Sequence, residues 1–143
     1  MTDSRASWWG MWIIVVLVAS MLLGPFWLGD RHVFGKFVMR PVPASVRTVE
    51  VDSNDWPFRL NPEPVVYIRF QASAEDVARI VAHRQWAESR VDRSWLEGRG
   101  PAWWRPPLRE EGTRCFKGQG RRGQEYLLID GTGTNAWFLL WGI

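Results

Sequence analysis

The hydrophobic pattern of the chain begins with an uncharged stretch. Residues 8–29 carry no charged side chain and read WWGMWIIVVLVASMLLGPFWLG. The hydrocarbon core of a bilayer is about 30 Å thick and needs about 20 helical residues to cross it. The pattern therefore predicts a single transmembrane helix over residues 8–29, preceded by a short tail, residues 1–7.

Aromatic residues at both ends of the stretch favour a retained helix. Trp8, Trp9 and Trp12 lie near its start, and Phe26 and Trp27 lie near its end. Indole rings favour the headgroup level of a bilayer. A cleaved signal peptide and a helix buried in a soluble core are the alternatives. The first is disfavoured because apolar residues continue beyond the small residues that would form a cleavage site.

Two features of the flanks disagree about orientation. More cations follow the stretch than precede it, which by the positive-inside rule places the C-terminal domain in the cytoplasm. A short N-terminus before a long domain is the usual signal-anchor layout, and we favour this second interpretation. It predicts a single-pass protein of the bacterial inner membrane with a periplasmic domain. The linker, residues 30–43, either lies along the membrane surface or is an extended connector.

Beyond the linker, residues 44–143 are long enough for one small domain. Ser73 is a helix-capping residue, and Val77, Ile80 and Val81 form an apolar stripe after it, which predicts an amphipathic helix. Alternation of apolar and polar residues predicts strands at 45–52, 65–71, 113–117, 125–130 and 135–141.

The glycine-rich stretches between the last three strands indicate turns of antiparallel hairpins. Residues 88–107 show no sustained period and are interpreted as an irregular excursion. The expected fold class is α+β: an N-terminal transmembrane helix followed by a mostly antiparallel sheet of about five strands covered by one helix.

Candidate catalytic residues are few. His32, His83 and Cys115 are the histidines and the cysteine of the chain, and their spacing fits no zinc motif. The stretch Gly118–Gly123 resembles a phosphate-binding loop, but a strand follows it and a hairpin tip is favoured. We therefore expect no enzyme activity, no cofactor and no metal.

Two local features indicate contact surfaces. Trp103 and Trp104 lie among prolines, and either pin a loop onto the core or form a contact surface. The cations around one predicted hairpin, at 114, 117, 121 and 122, are either a solvated tip or a contact for anionic headgroups or an acidic partner. The net charge is only +3, and the basic residues are interspersed with acidic ones. No nucleic-acid partner is therefore expected.

Several short pieces resemble a known class of proteins. They are the N-terminal apolar stretch, residues 43–46 entering a strand, residues 70–76 entering the helix, residues 101–104 and the final aromatic hairpin. Together they resemble short bacterial membrane-anchored or lipoprotein-like proteins, a class that has no established activity. The chain lacks the cysteine that a lipoprotein would carry after its apolar stretch.

Two functions follow as expectations. The first is an accessory, structural subunit of a larger membrane complex, with other membrane subunits and the lipid bilayer as partners. The alternative is a free-standing envelope module that binds a cell-wall or peptide ligand through exposed tryptophans. The residues expected to make these contacts are Trp8, Trp9, Trp12, Trp27, Trp103, Trp104, Arg121 and Arg122.

Overall fold

A six-stranded antiparallel sheet forms the centre of the molecule. The computed structural model describes residues 12–16, 29–54, 63–90, 96 and 98–142. The strands follow the spatial order β1-β2-β6-β5-β4-β3. They are β1 Arg47–Ser53, β2 Val65–Gln71, β3 Ala87–Glu88, β4 Arg114–Gly120, β5 Gly123–Ile129 and β6 Asn135–Trp141. Two helices, α1 Asp30–Phe37 and α2 Ala74–Arg84, accompany them.

The expectation of a membrane-spanning helix is wrong. Within the described ranges, no helix has both the length and the apolar character needed to cross a bilayer. Of the uncharged stretch, the structure describes residues 12–16, which are helical, and Gly29. Residues 8–11 and 17–28 lie outside the described part. This finding overturns the prediction of a single-pass membrane protein and of its inner-membrane location with a periplasmic domain.

The domain also differs from the expected five strands and one helix. Strand β3 pairs Ala87 with Lys117 and Glu88 with Phe116, and is too short to show a period in the sequence. Helix α1 lies within the predicted linker, where a membrane-surface or extended segment was expected. It is folded into the domain because Val33 and Phe34 are both buried in the core.

One face of the sheet, the helix-covered face, packs against both helices. Alternation along each strand directs every second side chain to this face. Phe34 of α1 meets Phe70 edge-on, with ring centroids 4.8 Å apart. Helix α2 contributes Val77 and Ile80 and is capped as expected, since Ser73 Oγ accepts from Asp76 N at 3.2 Å. The strand residues buried here are Val66, Ile68, Phe70, Phe116, Leu127, Ile129, Ala136, Phe138 and Leu140.

The opposite face is covered by Leu96, which is helical, and by residues 98–108, which form turns and irregular chain. We call Leu96 and residues 98–108 the covering segment, and this side of the sheet the segment-covered face. Leu96, Trp104 and Leu108 are the buried residues of that segment. They form a second cluster with the strand residues Cys115, Leu128, Trp137 and Leu139.

Candidate anion-binding site

A cavity of about 500 Å³ opens at one end of the helix-covered face. The C-terminal ends of α1 and α2 meet there with the turn that joins β4 to β5. We call this cavity the basic pocket, because most of its ionisable side chains are cationic. Its ionisable lining residues are Lys36, His83, Arg84, Arg121, Arg122 and Glu125.

The hairpin turn places two arginines at the mouth of the basic pocket. Gly120 pairs with Gly123 across the end of the β4–β5 ladder, which leaves Arg121 and Arg122 as the turn. Gly123 has φ of +148°, and a side chain there would collide with the backbone of Trp141. The glycine-rich stretch is therefore a tight hairpin turn that displays consecutive guanidinium groups.

A buried carboxylate forms the floor of the basic pocket. Glu125 is 6% exposed because the alternation of β5 places it on the helix-covered face, in line with Leu127 and Ile129. Its Oε2 accepts a hydrogen bond of 2.9 Å from Trp86 Nε1, and its Oε1 is paired with Arg84. Buried charges need such partners, because an uncompensated charge away from water is costly.

The basic pocket carries more positive than negative charge. Four permanent cations, Lys36, Arg84, Arg121 and Arg122, surround one carboxylate. Lys36 and Arg84 lie in the last turns of their helices, where cations stabilise the carbonyl end of the helix dipole. The two turn arginines belong to no helix, so this effect does not explain them. Guanidinium groups match the oxygens of carboxylates and phosphates.

The structure divides the predicted basic cluster. Arg121 and Arg122 line the basic pocket, whereas Arg114 donates to both carboxylate oxygens of Glu88 at 3.0 Å each. This hydrogen bonding lowers the pKa of Glu88. Lys117 lies on the segment-covered face, with Nζ 5.6 Å from the centroid of the Tyr126 ring. The cations of β4 therefore contact residues outside the basic pocket, whereas the cations of the turn line it.

The predicted tryptophans have different environments. Trp104 is 4% exposed and packs edge-on against Tyr67, with centroids 5.0 Å apart, so it belongs to the core. Trp103 is half-buried, and Trp12 is 58% exposed. Trp8, Trp9 and Trp27 lie outside the described residues.

Sequence reasoning missed four members of the basic pocket. Lys36, His83 and Arg84 come from regions that are distant in sequence from the turn, and only the fold brings them together. Glu125 had a detectable signal, because it is the charged residue in a series of positions, 125, 127 and 129, that share one apolar strand face.

Two further kinds of reactive site were compared with the described residues: metal ligands and a nucleophilic thiol. In these ranges no group of three or more His, Cys, Asp or Glu side chains is arranged to hold a metal. Burial, with a smaller contribution from the charge of Glu88, raises the pKa of the Cys115 thiol to about 12. The thiol is therefore protonated at neutral pH, and the thiolate is the form that acts as a nucleophile.

Comparisons with known proteins identify no relative, since the chain matches no protein family, no curated protein and no solved structure. The resemblance to membrane-anchored or lipoprotein-like proteins stays a prediction. What the protein does must be inferred from the basic pocket itself.

Proposed function

We propose that this protein is a non-catalytic accessory protein that binds an acidic segment of a partner protein in the basic pocket. One observation carries this proposal. Cations from two helix ends and one hairpin turn converge on a single cavity that holds one carboxylate. That carboxylate is paired with Arg84 and bonded to Trp86, and the excess of cations over carboxylates among the described lining residues favours an anionic ligand.

Carboxylate side chains fit this pocket better than a nucleic acid does. The net charge is only +3, and the basic pocket is a compact cavity of about 500 Å³. Nucleic-acid binders use an extended basic face, because the phosphates they neutralise are spread along a backbone. A short acidic segment presents a few carboxylates at close spacing, which paired guanidinium groups bind with charge-assisted hydrogen bonds.

The non-catalytic part of the proposal has its own support. His83 is exposed at the basic pocket, and Cys115 is buried on the other face of the sheet, so the two do not form a nucleophile and base. Direct stacking of a ligand on Trp104, the alternative expected from the sequence, receives no support from a ring that is buried. Trp103 remains partly accessible.

Binding of a fluorescently labelled poly-glutamate peptide to the full chain tests the proposal. The double variant Arg121→Gln/Arg122→Gln is expected to weaken binding about tenfold, since it removes two charges that contact the ligand. The matched control, Arg47→Gln/Lys117→Gln, removes the same charge away from the pocket and is expected to change affinity less than about twofold. Equal losses in both variants, or no binding of the peptide by the parent chain, would contradict the proposal.

A further inference from the structure

The geometry points to a second binding site in the covering segment, one that takes a small carboxylate with an apolar or aromatic body. This site lies on the opposite face of the sheet from the basic pocket and rests on independent observations. They are the walls of a cavity, an indole N–H without a partner, and the rigidity of the segment that forms both.

The cavity measures about 590 Å³ and is lined by Leu96 and by residues between Gly98 and Glu110. Leu96, Trp104 and Leu108 are the buried apolar residues of its lining. Its volume lies in the range of small-molecule sites, which are mostly apolar with a few placed polar groups. Its ionisable lining residues are Arg99, Arg105, Arg109 and Glu110.

A hydrogen-bond donor in the wall lacks an acceptor. Trp104 lines the cavity, and within the described part of the chain its buried Nε1 has no hydrogen-bond partner. Buried indole N–H groups usually find an acceptor, and Trp86 on the other face does so through Glu125. Trp104 Nε1 is itself buried, so a ligand oxygen reaches it only after a local shift of the neighbouring side chains.

The covering segment is otherwise tightly built. Trp104 N donates to Pro101 O at 2.9 Å, and Thr113 Oγ1 donates to Pro107 O at 2.7 Å. Gly100 has φ of +92°, and a Cβ there would lie 2.8 Å from Tyr67 Cε1. A preformed wall of this kind lowers the ordering cost of binding. The unpartnered donor therefore belongs to a fixed cavity and not to a loose loop.

The charges and the donor together select the ligand class. Among the described lining residues, three guanidinium groups outnumber the one carboxylate, that of Glu110, which favours an anion. Arg105 Nε donates to Ala102 O at 3.1 Å, which holds this guanidinium at the rim. A carboxylate supplies an acceptor for the indole and a charge for an arginine, while the leucine and proline walls accommodate an apolar body.

The test uses 4-phenylbutyrate as the probe and the indole N–H signals of the ¹⁵N-labelled full chain as the readout. The Trp104 and Trp86 signals are assigned by through-bond experiments, so that no core variant has to fold. We expect a saturable downfield shift of the Trp104 signal with 4-phenylbutyrate, and binding of the neutral 4-phenylbutanol that is weaker by about tenfold. The Trp86 signal separates the two sites, because its N–H is bonded to Glu125 in the basic pocket.

Two variants complete the experiment. The double variant Arg99→Gln/Arg105→Gln is expected to weaken the binding of 4-phenylbutyrate by about tenfold. The double variant Arg121→Gln/Arg122→Gln is expected to leave the response of the Trp104 signal unchanged. A Trp104 signal that does not move would overturn the inference, as would equal binding of the acid and the alcohol. A carboxylate response confined to Trp86 would also overturn it, without touching the proposed function of the basic pocket.

Discussion

The two faces of the sheet bury tryptophan in different ways. On the helix-covered face, Trp86 donates its indole hydrogen to Glu125 at 2.9 Å. On the segment-covered face, Trp104 and Trp137 are buried, and in the described ranges neither Nε1 has an acceptor. An unpaired buried donor costs about 1–3 kcal/mol. The segment-covered face therefore gives up stability that the helix-covered face retains.

This difference shows that the two cores differ in how fully their buried polar groups are hydrogen-bonded. Packing of two helices satisfies the polar groups of the helix-covered core and leaves its charges at one end, in the basic pocket. The covering segment buries a second set of apolar side chains but leaves donors unpaired. Buried polar groups without hydrogen-bond partners are expected at binding sites, because stability is lost there in exchange for function.

Among the substitutions that test this difference between the faces, Glu125→Ala is expected to lower the stability most. It leaves Trp86 without its acceptor and Arg84 without its counter-ion, and loss of one member of a buried pair costs about 3–5 kcal/mol. Because Arg84 keeps part of its contact with water, we expect a loss of about 3 kcal/mol in the free energy of unfolding, measured in urea. Glu125→Gln keeps an acceptor and should lose less. A loss below about 1 kcal/mol would show that the helix-covered face does not depend on this pair.

The helix-covered face is also the part of the fold that its sequence predicts best. Strands β2 and β6 have the expected bounds, 65–71 and 135–141, because alternation is clearest where one strand face is buried. The Ser73 cap and the α2 stripe were likewise expected. Helix α1 was missed because eight residues are too few for a convincing helical period, and β3 because it has only two.

The membrane helix was wrong for a different reason. Length and lack of charge show that a stretch has a suitable composition for crossing a bilayer. Composition alone does not determine the backbone conformation of such a stretch. The basic pocket was half predicted: Arg121 and Arg122 are adjacent in sequence, whereas Lys36 and Arg84 reach them only through long-range packing. The covering segment has no period, so its buried Trp104 could not be distinguished from an exposed one.

Paired substitutions of tryptophan by phenylalanine test the comparison directly. Trp86→Phe and Trp104→Phe remove the same atoms, so their cavity costs are similar. Only the first breaks a hydrogen bond and leaves the Glu125 carboxylate short of a donor. We expect Trp86→Phe to be less stable than Trp104→Phe by about 2 kcal/mol in urea denaturation. Equal losses would mean that the indole of Trp104 has an acceptor after all.

Thiol labelling compares how easily the two faces open. Cys115 is buried beneath the covering segment, and its raised pKa, about 12, keeps it protonated. A matched probe on the other face is Ala136→Cys in a Cys115→Ser background, since Ala136 is fully buried under the helices. Loops open more readily than packed helices. We expect Cys115 to react with a thiol reagent about tenfold faster than the cysteine at position 136. Equal rates would contradict the expectation that the covering segment opens more readily than the helices.

The smallest expected effect concerns the turn between β5 and β6, which lies beside α2 at the rim of the helix-covered face. Burial alone would raise the pKa of Asp130, but hydrogen bonds from Asn135, Thr132 and Thr134 outweigh it and lower the pKa below its ordinary value of 3.8. The Asp130 carboxylate accepts from Thr134 N at 3.1 Å and from Asn135 N at 3.2 Å.

A carboxylate with a depressed pKa in the folded state stabilises the protein above its unfolded pKa, and this contribution is lost as the pH falls through the folded value. Asp130→Asn should therefore cost less than about 1 kcal/mol at neutral pH, because the group is largely solvent-screened and the amide keeps one acceptor. The difference in unfolding free energy between the parent and the variant should stay constant above pH of about 5 and shrink toward zero below about 4. A difference that grows in acid would show that other groups control the pH response of this turn.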